Sequence, residues 1–257
     1  MRGFFIITYW FIVVKFIDNK AINIVNLNSI IFIMIKETDM ESSYFKRLPK
    51  LVFALFLCAL GSYMGIQANV GLAPWECFQT GVMYKTGFMY GNIVVSVGLI
   101  VIIVDLILKE RIGVGTLCNA MFVGKFIDFF NYIDLIPKLD NFALGVCLLF
   151  AGQVVLSVGT CFYVKVGLGA GPRDSLMVAI GRRLNKFPIG AVRWLIEITV
   201  IFFGYIMGAK VGVGTLISVF GMGTIMEYTF RILKFDIKSV KHENFIDTIN
   251  YIMGGFK

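Results

Sequence analysis

The chain has 257 residues, 58% of them hydrophobic and 16% charged, with a mean hydropathy of +0.83 and a formal net charge of +8. A soluble domain is about 45–50% apolar and about 25% charged, so this surplus excludes one water-soluble core and requires a bilayer as solvent. Against that background the positive charge reads as the Lys/Arg excess that orients membrane proteins, and lipid rather than nucleic acid is the expected partner.

The five cysteines (Cys58, Cys77, Cys118, Cys147 and Cys161) are odd in number and scattered through apolar runs without a CxxC spacing. They read as small core residues rather than disulfides or metal ligands. The single histidine, His242, lies in the polar tail, which excludes a multi-histidine metal site. No cofactor is expected.

Residues 1–39 are rich in Ile, Phe and Asn and hold one of the 27 glycines. Their first apolar run, 3–17, is interrupted by Lys15 and falls short of the about 20 residues that a span needs. No small-residue cleavage site marks a signal peptide. This segment is read as an upstream extension, with Met40 as the start of the fold; an extra interfacial or spanning helix is the alternative.

From Met40 the chain divides into a first repeat, 40–140, a second, 141–235, and a tail, 236–257. Pro74 is matched by Pro172 and Gly61 by Gly159, each 98 residues later. Glu76 answers to Asp174. One residue later in register, Gly91 answers to Gly190, "GVGTL" at 113–117 to 212–216, Gly124 to Gly223 and Asp128 to Glu227, 99 residues apart. Small residues, a proline and carboxylates held in this order indicate an internal repeat.

In chain order the first half predicts an apolar helix over 51–69, a short amphipathic helix over 74–86, and apolar helices over 92–108 and 114–130. The second half repeats them over 141–164, 172–186, 191–207 and 213–233. The fold class is all-α and integral to the membrane, with six spans, three per half, and one short extra helix per half after a Gly/Pro turn. Gly204, Gly208 and Gly212, four residues apart, read as a packing face.

The positive charges set the orientation. Lys46, Arg47, Lys50, Lys109, Arg111, Lys165, Arg173, Arg182, Arg183, Lys186, Arg231, Lys234, Lys238 and Lys241 fall on one side if both termini are cytoplasmic. Lys85, Lys138 and Lys210 fall on the other. Three spans per half then turn the second half upside down and give an inverted repeat. If the short helices cross fully, the repeat is parallel instead.

The phrases "GLAPWE" (71–76) and "GAGPRD" (169–174) explain themselves in part. Glycines such as Gly71 and Gly171 allow a tight path, Pro74 and Pro172 suit the first helical turn, and Glu76 and Asp174 complement the helix dipole. These are capping roles. The functional reading makes the same helix mouths line a polar cavity between the halves, as short helices at a repeat interface do in secondary transporters. The "GVGT" phrases, with Thr116 and Thr215, offer N–H groups to an anion or a carbonyl.

The halves differ at Trp75 and Arg173. Arg173 is either an orientation charge or a partner for an anionic group. Arg193 and Glu197, four apart, form a pair or a site one turn inside the apolar zone. Lys125 and Asp128 suggest a local pair, whereas Asp105 and Glu227 are placed at span ends. The candidate substrate-binding set is therefore Gly71, Pro74, Trp75, Glu76, Gly171, Pro172, Arg173, Asp174, Arg193, Glu197, Thr116 and Thr215.

"ANVGLAPWE", "GLGAGPRDSLM" with "GAVRWLIE" after it, and both "GVGT" copies resemble the YczE/YitT-like family of small bacterial multi-pass membrane proteins, closest to its YczE branch. The resemblance runs from about Lys46 to Phe235. Ala73 stands where the family usually has glycine, and Glu76 where aspartate is commoner. It implies an integral protein of the bacterial inner membrane and carries no particular activity.

Two functions remain open. The inverted repeat and the helix mouths favour a small-solute transporter or permease. The scarcity of buried charge favours a non-transporting scaffold or accessory protein. No Ser/His pair, paired mid-span aspartates or metal ligands point to an enzyme. The expected partners are the bilayer, a small-molecule substrate and a second copy of the chain.

Overall fold

The computed structural model describes residues 44–184, 187, 189–235, 240 and 243–245. The expectations for residues 1–39, Met40 and His242, and most of those for the 236–257 tail, lie outside them. The described residues form eight helices: α1 (Tyr44–Gln67), α2 (Pro74–Thr86), α3 (Tyr90–Ile107), α4 (Val114–Tyr132), α5 (Phe142–Val166), α6 (Pro172–Arg183), α7 (Ile189–Ile206) and α8 (Val213–Ile232). No strand occurs among them.

Local chemistry sets most boundaries. Pro74 and Pro172 open α2 and α6, where a missing N–H costs nothing. The Asn141 side chain accepts the Leu144 N–H at 3.1 Å and starts α5. Gly87 and Gly167 end α2 and α5 in the left-handed conformation. α1 begins seven residues before the apolar run and carries Pro49 inside it. α7 stops at Ile206, so Gly204 alone of the three spaced glycines is helical; Gly208 lies in the turn and Gly212 caps α8.

Four helices are long and apolar enough to cross a membrane: Arg47–Gln67, Tyr90–Ile107, Phe142–Val166 and Val213–Ile232. α4, with Lys125, Asp128 and two asparagines, falls outside that set.

The two halves share one contact scheme. α1 packs along α5, its own counterpart, and the two run antiparallel. Gly61 lies against Leu156 while Gly159 lies against Cys58, and Gly145 meets Ala68 further along. Each residue of the first pair is the counterpart of one in the second, so the contact is reciprocal. α4 packs on α1, and α8 on α5. Each short helix crosses to the other half: α2 lies on α7, and α6 on α3.

The backbone repeats as well. Asn69, Gly71, Lys109 and Asp134 have positive φ, and so do Gly167, Gly169, Gly208 and Lys234, 98 to 100 residues later. After α4, the Leu139 N–H donates to Gln67 O at 2.9 Å. After α8, the Glu243 N–H donates to Gly167 O at 2.8 Å, and Arg47 clasps Glu243 at 2.6 Å.

One seam breaks this symmetry. α3 and α4 pack closely, and with α1 they enclose an aromatic core of Phe56, Tyr63, Tyr90, Phe126 and Phe130. α7 and α8 form no comparable seam among the described residues. There Trp194 meets Phe220 edge-on, with ring centroids 6.3 Å apart.

Candidate functional site

The two Gly/Pro phrases sit at the mouths of α2 and α6. Gly71 and Gly169 have φ of +123° and +124°, a region that L side chains rarely adopt. Both turns are packed by the other half. A Cβ on Gly71 would strike Gly212 and the Thr215 N–H; one on Gly169 would strike Gly113 and the Thr116 hydroxyl. The "GVGT" phrases are the matching surfaces. The Gly115 N–H donates to Leu168 O at 2.7 Å, and the Gly214 N–H to Val70 O at 2.8 Å. Thr116 Oγ1 accepts the Gly113 N–H and donates to Ala170 O at 2.6 Å, while Thr215 Oγ1 accepts the Gly212 N–H at 3.2 Å. The partner of these helix starts is thus a protein carbonyl, and Thr116 and Thr215 lock the turns.

Pro74 and Pro172 bring the next residues together. Arg173 lies over the Trp75 ring, 5.0 Å from its centroid. These two positions correspond in the sequence repeat, 98 residues apart. A guanidinium over an indole face is an attractive cation–π contact. Glu76 is buried, accepts the Ser62 hydroxyl and folds back onto the Ala73 N–H. Arg173 acts electrostatically on Glu76, Tyr90 and Asp174. The buried Tyr90 hydroxyl donates to Gln79 Oε1 at 3.1 Å. Asp174 curls toward its own cap at Gly171 and is exposed, and Arg173 is half-buried. Two carboxylates, one guanidinium, an indole and three further polar groups, Ser62, Gln79 and Tyr90, therefore meet where the halves join. Tyr163 adds a buried hydroxyl beside Thr116, within electrostatic reach of Asp174.

The other charged candidates stand apart from this group. Arg193 and Glu197 form a helix pair at 2.7 Å; Glu197 is buried and its second oxygen, Oε2, has no partner. The local Lys125–Asp128 pair does not form. Lys125 reaches Asn92 Oδ1 at 2.7 Å, and Asp128 Oδ1 accepts the Gly91 N–H at 2.7 Å, because the close α3–α4 seam puts better partners across it. Glu227 is exposed beside Arg231. Asp105 lies two residues before the end of α3, where it is fully buried and neither oxygen has a partner. Its backbone carbonyl accepts the Glu110 N–H, which folds the chain back over it.

Gln79, Tyr90, Ser62 and Tyr163 carry no periodic or motif signal. Asp105 had one: a carboxylate within an 18-residue apolar helix. Among the described residues no group of three or more His, Cys, Asp or Glu is placed to hold a metal ion.

Residues 45–231 match a family of unknown function, DUF6198. The chain is 33% identical over 177 residues to the uncharacterised membrane protein YczE of Bacillus subtilis, covering 68% of this chain and 81% of YczE. It is 31% identical over 196 residues to an uncharacterised protein of Haemophilus influenzae, covering 76% and 88%. A second Bacillus subtilis protein, YyaS, is 27% identical over 175 residues, covering 64% and 83%. No solved structure matches. The helical architecture, its apolar spans and these relatives together make the chain a membrane protein of the YczE-like DUF6198 family.

Proposed function

We propose that this protein is a small-solute transporter or permease of the bacterial cytoplasmic membrane. α1, α3 and α4, and then α5, α7 and α8, cross the bilayer as two inverted three-span repeats. α2 and α6 enter from opposite faces as half-helices, and both termini are cytoplasmic. The antiparallel packing of α1 on its counterpart α5 supports the inversion, because equivalent spans that run oppositely belong to halves of opposite orientation.

The observation that carries transport is the polar group where the halves join. Charged side chains inside a membrane protein are costly and gather where a solute or ion is handled. Here Glu76, Arg173 and Asp174 gather at the meeting of two half-helix starts, and Asp174 remains exposed. That is where inverted-repeat transporters place their substrate. The bound species is a small molecule, and no catalytic step is assigned to the group. The dense α1–α5 contact favours the second reading, a scaffold, because it leaves that part of the interface dry.

Single cysteines at Ala73 and Ala170, probed with a membrane-impermeant thiol reagent in vesicles of each orientation, test the proposal. Transport predicts that at least one of them reacts from water, and that Thr86→Cys reacts from the outside only. Protection of Ala73→Cys and Ala170→Cys from both sides would leave the scaffold.

A further inference from the structure

The repeat allows each contact to be compared with its own counterpart, and one pair differs sharply. At the α3–α4 seam Gly91 lies against Gly124 so tightly that a Cβ on either would strike the other's backbone. Asp128 closes that seam by accepting the Gly91 N–H, one of the unsatisfied donors at the start of α3. Lys125 bridges it to Asn92. The counterparts of Gly91, Gly124 and Asp128 are Gly190, Gly223 and Glu227. Around both Gly190 and Gly223 no described atom lies within 4 Å of an added Cβ. Glu227 points away to Arg231, and both side chains are exposed. The second half thus keeps two glycines and a carboxylate of the latch at matching positions, with Ala191 and Thr224 in place of the Asn92–Lys125 bridge, and has it undone.

We infer that the two seams are a pair of gates that exchange, α3–α4 closed with α7–α8 open in this structure and the reverse in a second state, and that they admit the solute to the site where the halves join from alternate sides. The inference rests on the transport reading for its purpose; the exchange of seams is its own claim. In the second state Gly190 lies on Gly223, and Glu227 leaves Arg231 to accept the Gly190 N–H. Gly91 and Gly124 separate, and Asp128 releases α3. Because the halves have the same contact scheme, the second state is the first with the roles of the halves exchanged. The glycine contact and the carboxylate cap are remade at the other seam, and the Lys125–Asn92 bridge is the one contact without a counterpart. With the termini cytoplasmic, the open seam faces the cytoplasm.

The counterparts of Asn92 and Lys125, whose side chains touch across the closed seam, are Ala191 and Thr224. Ala191→Cys with Thr224→Cys, in the full chain in membranes with its native cysteines retained, is oxidised and the linked peptides are identified by mass spectrometry. A 191–224 disulfide is expected to form. Once it has formed, amide hydrogen exchange at Tyr90 and Gly91 is expected to rise about tenfold or more, the loss of one charge-assisted hydrogen bond. Asp128→Asn, which weakens the opposite latch, is expected to raise the rate of 191–224 crosslinking in the same background. Absence of the crosslink in protein that folds, or its formation without faster exchange at Gly91, overturns the coupled gates. Water access to Ala73→Cys or Ala170→Cys would then still stand for a permanently open path. Protection of both cysteines alongside a working crosslink would instead defeat the transport reading and leave the seam exchange.

Discussion

Replacing Asp128 by alanine should cost far more than replacing its counterpart Glu227. Asp128 Oδ1 accepts the N–H of Gly91 at 2.7 Å, at the second position of α3. A hydrogen bond to a charged group contributes about 1.5–3 kcal/mol, and a carboxylate at a helix start adds about 0.3–1 kcal/mol through the dipole. The two overlap, so about 2–3 kcal/mol is at stake. Glu227 pairs with Arg231 four residues on, with side-chain exposures of 70% and 71%. Such a solvated pair contributes about 0.3–0.5 kcal/mol. For a chain of this size each kcal/mol moves the melting midpoint by about 2–4 °C. Asp128→Ala should therefore melt about 4–12 °C lower and Glu227→Ala within about 2 °C of the parent. The assay is thermal unfolding in detergent micelles by circular dichroism at one scan rate, since membrane proteins seldom unfold reversibly. Equal shifts for the two variants would refute the difference between the seams.

Asp105→Leu should raise the melting midpoint, because it removes a buried carboxylate with no partner, at about 1–3 kcal/mol; a fall would mean that Asp105 has a partner that the folded chain supplies. Arg193→Met should lower stability by about 2–4 kcal/mol by leaving Glu197 buried and uncompensated, and adding Glu197→Leu should restore most of it; a double variant as unstable as the single would show that the pair is not the issue. Gly169→Ala should cost about 2–5 kcal/mol, combining a strained φ of +124° with a collision 2.7 Å from Thr116 Oγ1. Gly208→Ala, at φ +97° with only Tyr84 at van der Waals distance, should cost about 1–3 kcal/mol; chemical denaturation of the two side by side checks the order.

The membrane class and the helical content were legible in the sequence. Hydropathy is a property of each residue. The Gly/Pro phrases also declared α2 and α6, with Pro74 and Pro172 at the first helical position, because caps depend on neighbours a few residues away. The Arg193–Glu197 pair followed from a four-residue spacing on one helix.

The tertiary structure decided what those patterns meet. The "GVGT" starts face the carbonyls of Leu168 and Val70 in the opposite half, a partner that no local reading can name. Lys125 and Asp128 suggested each other by proximity in sequence, yet the glycine seam brings Asn92 and the Gly91 N–H closer to them. The Arg173–Trp75 stack arises from the starts of α2 and α6 meeting across the fold. Gly91 and Gly190 are the same letter in the same phrase. One is buried under α4 and the other open beside α8, because a repeated sequence specifies the available contacts, and the packing of the whole chain selects which copy makes them.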